Sequence, residues 1–150
     1  MALPIREGDI PGIQLRALRH LAIGSTEAWR WITEKPLAER WLADRAEIEP
    51  GPRGGWRLER DVAPATVVET GQTERIEPGR KWVLRFRQED KRWEAWTRLE
   101  ITLVDAAGGC DLDLLQVGFH LLAMSSSLTI WEEYRHRWRD ALERLARATG

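Results

Sequence analysis

Residues able to do acid–base, nucleophilic or metal chemistry are scattered along this chain. His20, His120 and His136 fall on separate predicted elements, and neither an HExxH nor a CxxC spacing occurs. No metal site and no cofactor are expected. Asp111 and Asp113 alternate with Leu112 and Leu114, which turns both carboxylates to solvent and away from a shared acid–base role. Cys110 is the only cysteine, so no intramolecular disulfide and no cysteine-based zinc site can form. Its apolar parity argues for an inert buried thiol. GxSxG and SxxK are absent, and Ser125–Ser127 reads as the approach to a helix.

Two further stretches resemble binding motifs only superficially. Gly51-Pro52-Arg53-Gly54-Gly55 lacks the lysine and the strand–loop–helix setting of a phosphate cradle, and reads as a hairpin turn. Lys91 to Arg98 interleaves basic and aromatic residues as single-strand nucleic-acid binders do. In a strand, however, Trp93 and Trp96 would face opposite sides and share no stacking platform. A net charge of −1 also argues against binding nucleic acid by bulk electrostatics. Of the basic residues only Lys35, Lys81 and Lys91 are lysines, a bias ascribed to genomic composition.

What the chain does have is tryptophan: nine in 150 residues. Indoles supply large apolar area and one N–H donor, which suits thick cores and cavities that admit partly polar organic molecules. Strand parity gathers Trp56, Leu58, Trp82, Leu84, Phe86, Leu99 and Leu114 on one face, opposite Trp131, Tyr134 and Trp138 of a helix. Thr97 and Gln116 lie near them, as do Arg60, Thr70, Gln72 and Glu74. A closed core built from the same residues is the alternative. If the cavity were catalytic, Glu74 or His120 would serve as acid–base with Arg60 as charge partner.

These residues need elements to hold them. Pro11-Gly12 closes an N-terminal stretch, residues 1–11, expected to be a loose extension. It has no long apolar run behind a basic start, so it is not read as a secretory signal. Ile13, Leu15, Ala17, Leu21 and Ile23 share one parity in a first strand. Gly24-Ser25-Thr26 ends it and starts a short helix, and Pro36 opens a second, Leu37 to Leu42. Arg45–Glu49, Trp56–Arg60, Ala65–Ile76 (broken at Gly71), Trp82–Phe86, Trp93–Asp105 and Cys110–Leu114 then read as strands joined by short turns. That order predicts an antiparallel meander. Leu128, Trp131, Tyr134, Trp138, Leu142 and Leu145 mark the apolar stripe of a long terminal helix. Glu133–Arg137, Asp140–Arg144 and Glu143–Arg147 support its far face at i,i+4 spacing. Phe119 to Met124 is apolar yet lies between strand and helix. Phe119, Leu122 and Met124 are therefore candidates for a lid over a pocket mouth, or for a dimer contact. No segment approaches the roughly 20 apolar residues of a membrane span, and a cytoplasmic protein is the expectation.

The β-α-α-β6-α order resembles the START-like (SRPBCC) superfamily, an α+β helix-grip fold in which a curved antiparallel sheet wraps a long C-terminal helix. Local motifs are similar to its heat-shock-protein ATPase activator-like branch. They are Ala28-Trp29-Arg30-Trp31-Ile32-Thr33 with Leu37-Ala38-Glu39-Arg40-Trp41, then Gly71 to Pro78 with Trp82 to Phe86. Gly118-Phe119 and Arg137-Trp138-Arg139-Asp140-Ala141-Leu142-Glu143-Arg144-Leu145 complete the set. The chain departs from the pattern at Ala28, Trp31, Thr73, Arg75 and Arg137. The resemblance spans residues 13–147 and implies one domain over 1–150 with a pocket between helix and sheet. With that pocket, the Trp-rich faces suggest a non-catalytic or regulatory binder of a small apolar molecule through Trp56, Leu58, Trp82, Phe86, Thr97, Leu99, Leu114, Gln116, Trp131, Tyr134 and Trp138. The alternatives are a cyclase, isomerase or hydrolase using the same cavity, or a co-chaperone-like interaction module. A protein partner or a homodimer stays open.

Overall fold

The computed structural model describes residues 3–150. Seven strands form one antiparallel sheet: β1 Gln14–Leu21, β2 Arg45–Glu49, β3 Gly55–Val62, β4 Ala65–Glu77, β5 Lys81–Gln88, β6 Thr97–Ala106 and β7 Gly109–Val117. Their spatial order is β1-β7-β6-β5-β4-β3-β2. Strands β2 to β7 are thus a simple meander, and β1 closes the far edge against β7. Two short helices, α1 Ser25–Thr33 and α2 Lys35–Ala38, link β1 to β2. The long helix α3, Met124–Thr149, follows a single 3-10 turn at Phe119–Leu121. This is the helix-grip arrangement.

Register explains which side chains meet α3. Leu58 pairs with Glu69, Trp56 with Gly71, Trp82 with Ile101, and Ile101 with Leu114. Alternation carries Trp56, Leu58, Trp82, Leu84, Phe86, Leu99, Leu112 and Leu114 to one buried face. Helix α3 lays Ile130, Trp131, Tyr134, Trp138, Ala141, Leu142 and Leu145 against that face. Each large apolar side chain so buried contributes on the order of 1.5–3 kcal/mol. Leu128, expected to begin the stripe, is 57% exposed, and the stripe starts instead at Ile130.

Three local expectations are revised. The second short helix is regular only over Lys35–Ala38. Beyond it the Trp41 and Leu42 carbonyls are taken by the guanidiniums of Arg144 and Arg137 on α3, so the backbone turns without adding helix. Gly71 does not break β4. A Cβ there would lie 2.7 Å from the Trp56 Nε1, so the glycine makes room for an indole. Strand β6 begins at Thr97, not at Trp93, because Trp93 is a loop residue folded into the core. Arg92, beside it, is tied to Glu133 of α3 at 3.0 Å. At the N-terminus, the Leu3 and Pro4 carbonyls accept hydrogen bonds from Arg135 at 2.8 and 2.6 Å.

Candidate functional site

Between α3 and the sheet lies a continuous group of aromatic rings. Phe86 of β5 is at its centre, with ring-centroid distances of 5.6 Å to Trp138, 5.7 Å to Tyr134, 6.1 Å to Trp93 and 6.3 Å to Trp56. Trp82 extends it toward α1, 5.6 Å from Trp56 and 6.3 Å from Trp29. Phe119 of the 3-10 turn closes the opposite side, 6.4 Å from Trp93 and from Tyr134. Most contacts are edge-to-face or tilted, the arrangements the ring quadrupole favours. In this conformation the rings themselves fill the space between helix and sheet.

Two polar networks cross this apolar interior. In the first, the Trp138 indole donates to Gln116 Oε1 at 2.7 Å, the Gln116 amide donates to Thr97 Oγ1 at 3.0 Å, and the Thr97 hydroxyl donates to the Phe86 carbonyl at 2.7 Å. Each group is buried and satisfied, so the chain fixes the register of α3 over β5, β6 and β7.

The second network is centred on Glu69, fully buried on β4. Arg137 of α3 grips it from Nη2 to Oε1 at 2.7 Å and from Nε to Oε2 at 3.1 Å. The Tyr134 hydroxyl donates to Oε2 at 2.7 Å, and Arg60 Nε reaches the same oxygen at 3.2 Å. Burial pushes the Glu69 carboxyl up, but Arg137, Arg60 and Tyr134 pull it down further, leaving it below the ordinary glutamate range. Burial, and then the neighbouring Glu69 charge, hold the Tyr134 hydroxyl well above its usual value. Glu69 is therefore an ionised anchor and Tyr134 a neutral donor.

Three buried donors in this region find no acceptor: Trp56 Nε1, Trp93 Nε1 and Arg137 Nη1. Trp93 and Trp56 both border Phe86, and the Trp56 Nε1 lies over the bare Cα of Gly71.

The residues anticipated from sequence divide as follows. Trp56, Leu58, Trp82, Leu84, Phe86, Thr97, Leu99, Leu114, Gln116, Tyr134 and Trp138 are all buried on the facing surfaces. Trp131 is buried apart from the ring cluster, its indole donating to the Gln14 carbonyl of β1 at 2.8 Å and its face covered by Arg135. Phe119 and Leu122 are core residues, while Met124 is 95% exposed at the first position of α3. Thr70, Gln72 and Glu74, expected beside the cavity, are not on the inner face. They lie on the outer side, with Thr70 bonded to Glu89 and Glu74 to Arg98. Glu69, Gly71 and Thr73 hold the inner positions, and a bulge between Thr73 and Arg75 shifts the register beyond them. His120 is exposed. Neither suggested acid–base group thus faces the interior.

Glu69 itself escaped the sequence reading, because β4 has too few apolar residues to declare its parity. Its one available signal was the spacing to Trp56 and Leu58 across a hairpin. Asp111 and Asp113 are on the outer face, bonded to His20 and Arg16. Cys110 is buried, and burial pushes its thiol upward. Among the described residues no group of three or more metal-ligating side chains occurs, and no helix is long and apolar enough to cross a membrane.

Residues 25–150 match the family model described as Activator of Hsp90 ATPase homolog 1-like protein. The chain belongs to that family. Among solved structures, protein CV1439 of Chromobacterium violaceum is 19% identical with a TM-score of 0.76, covering 91% of this chain and 96% of that one. Protein Ms6760 of Mycobacterium smegmatis is 10% identical with a TM-score of 0.78 over 100% and 98% of the two chains. The AHSA1 protein of Silicibacter pomeroyi is 16% identical, with a TM-score of 0.71 over 90% and 96%. At these identities the likeness is one of fold. No curated protein matches the chain. Family membership supports a ligand-binding or activator-like module.

Proposed function

We propose that this protein binds a small, largely apolar organic molecule bearing a hydrogen-bond acceptor, between α3 and the sheet, as a non-catalytic or regulatory module. The observation that carries the reading is the pair of unpartnered indole donors, Trp56 Nε1 and Trp93 Nε1, in an aromatic interior where the neighbouring Trp138 and Trp82 indoles are bonded. A buried donor without an acceptor costs about 1–3 kcal/mol. A carbonyl or ether oxygen seated among these rings offsets that cost, and the ligand's apolar body replaces ring-to-ring contacts. The rings must part for entry, and Trp93, on a loop, is the wall best placed to yield. A cytoplasmic setting is part of this reading.

A thermal-shift panel tests it, comparing apolar aromatic ketones and polyketide-like lactones with hydrocarbons of the same shape. A ligand at 100 times its Kd adds about 2.7 kcal/mol, roughly 8 °C for a chain of this length. Ketones should stabilise more than the matched hydrocarbons, and Trp93→Phe should remove the difference. Silence across the panel would overturn the reading.

One observation favours the second reading, an activator-like protein-interaction module. Ile13, Leu121, Met124 and Leu128 are exposed at one end of the molecule, where the Phe119 amide bonds to the Ile13 carbonyl. A pull-down that loses a partner on Met124→Glu/Leu128→Glu would support that module instead.

A further inference from the structure

On the rim of the fold, beyond the exposed side of the Glu69 network, lies a pocket of about 270 Å³. Arg60 forms its inner boundary, Trp41, Ala43 and Val62 give it apolar walls, and Arg40 and Arg144 stand at its edge. Three acids also line it, two paired with cations and the third, Asp44, held by a backbone N–H. Asp61 is gripped by Arg45 through both oxygens at 2.7 and 3.0 Å, and also accepts the Thr66 hydroxyl. Glu39 accepts the Ala46 N–H at 3.0 Å and lies 3.6 Å from Lys35. Asp44 accepts the Asp61 N–H at 2.7 Å.

The cations are less well matched. Arg144 directs Nε and Nη2 to a neutral acceptor, the Trp41 carbonyl, at 3.3 and 3.2 Å, and no carboxylate among the described residues forms an ion pair with it. Arg40 stacks on the Trp31 ring, its guanidinium 4.8 Å from the centroid. Behind the pocket wall Arg137 bonds to the Leu42 carbonyl and shares Glu69 with Arg60, so one carboxylate faces two guanidiniums. Burial, then Arg137, displace Arg144 downward from the ordinary arginine value, Asp140 and Asp44 opposing the shift and Arg60 adding to it. Arg40 and Arg144 thus form no ion pair with a carboxylate among the described residues, although Asp44 lines the same pocket.

We propose that this pocket binds a small organic carboxylate, its charge on Arg144 with Arg40 alongside and its apolar body against Trp41, Ala43 and Val62. A planar guanidinium with free N–H groups suits a carboxylate in fork geometry. The pocket volume leaves room for a small aromatic or short aliphatic body beside the carboxylate, with Val62 the apolar residue most open to it. This site is separate from the ring cluster, and it stands whether or not the interior takes a ligand.

The test is titration calorimetry of the full chain with benzoate, hexanoate, benzamide and inorganic phosphate, alongside NMR of the arginine Nε–H groups. Benzoate and hexanoate should bind and move the Arg144 Nε–H resonance, while benzamide should not bind. Arg144→Gln keeps a donor for the Trp41 carbonyl but removes the charge. It should weaken benzoate roughly ten- to hundredfold, the loss expected for a charged hydrogen bond. Arg40→Gln provides a second variant should Arg144→Gln fold poorly, and it should weaken benzoate less. The proposal is overturned by equal binding of benzoate and benzamide, by an Arg144→Gln protein that binds as the parent does, by phosphate binding as tightly as benzoate, or by no carboxylate binding.

Discussion

Replacing Glu69 by glutamine removes the one negative charge from a buried cluster that holds two guanidiniums and a tyrosine hydroxyl. The side chain keeps its shape, but its amide NH₂ must now replace an oxygen that accepts from Arg137 at 2.7 Å, or the oxygen shared by Arg137, Tyr134 and Arg60. Donor then meets donor, and Arg137, with a side chain 2% exposed, has no water to turn to. Breaking a buried ion pair by removing one partner costs about 3–5 kcal/mol. At about 2.1 cal/mol/K per residue, 150 residues convert that into a Tm lower by roughly 10–15 °C. Differential scanning calorimetry at pH 7 reads it directly. The triple variant Glu69→Leu/Tyr134→Phe/Arg137→Met, which removes all three deeply buried polar groups together, should recover most of the loss. A Glu69→Gln protein melting within about 2 °C of the parent would refute the reasoning, as would a triple variant no more stable than the single one.

Other outcomes follow from the same structure. Glu69 titrates lower when folded than its unfolded value near 4.3. Its stabilisation is therefore complete above about pH 4.3 and is lost as the pH falls through the folded pKa. Urea titrations between pH 2 and 6 should show a steeper acid loss for the parent than for Glu69→Gln. Gly71→Ala sets a methyl against the Trp56 indole and should cost about 1–3 kcal/mol, visible as a lower denaturation midpoint with a changed Trp56 resonance. Arg135→Met releases the carbonyls of Leu3 and Pro4 and the 3.5 Å pair with Asp9. Hydrogen exchange around residues 9–14 should quicken with little change in the core. Cys110 should resist a thiol reagent in the native protein and react at once in denaturant.

The sheet and its covering helix were legible because their signals are periodic. Trp82, Leu84 and Phe86, or Cys110, Leu112 and Leu114, can satisfy an alternating pattern only with one face buried, and register then follows from short turns. Strand β4 was not legible in this way. Its inward Glu69 and Gly71 are the residue types ordinarily assigned to the outside, and each sits inside for a reason set elsewhere in the chain. Glu69 is held by Arg137 of α3, and Gly71 yields to Trp56 of β3. Trp93 was misplaced for a similar reason: its burial depends on a loop anchored by Arg92 to Glu133, a contact between residues 41 apart. Long-range pairing of this kind leaves no mark on local spacing. The sequence pattern found the aromatic wall but missed the ion network that fixes it and the arginine-rimmed pocket beside it.

The most direct test of interior ligand binding is an indole N–H spectrum of the ¹⁵N-labelled protein, titrated with the best-stabilising ketone from the thermal-shift panel. The account predicts that the Trp56 or Trp93 resonance moves downfield as its N–H gains an acceptor, while Trp96, on the outer surface between Arg85 and Arg87, stays in place. Shifts confined to Trp96, or a spectrum unchanged by every ketone in the panel, would contradict it.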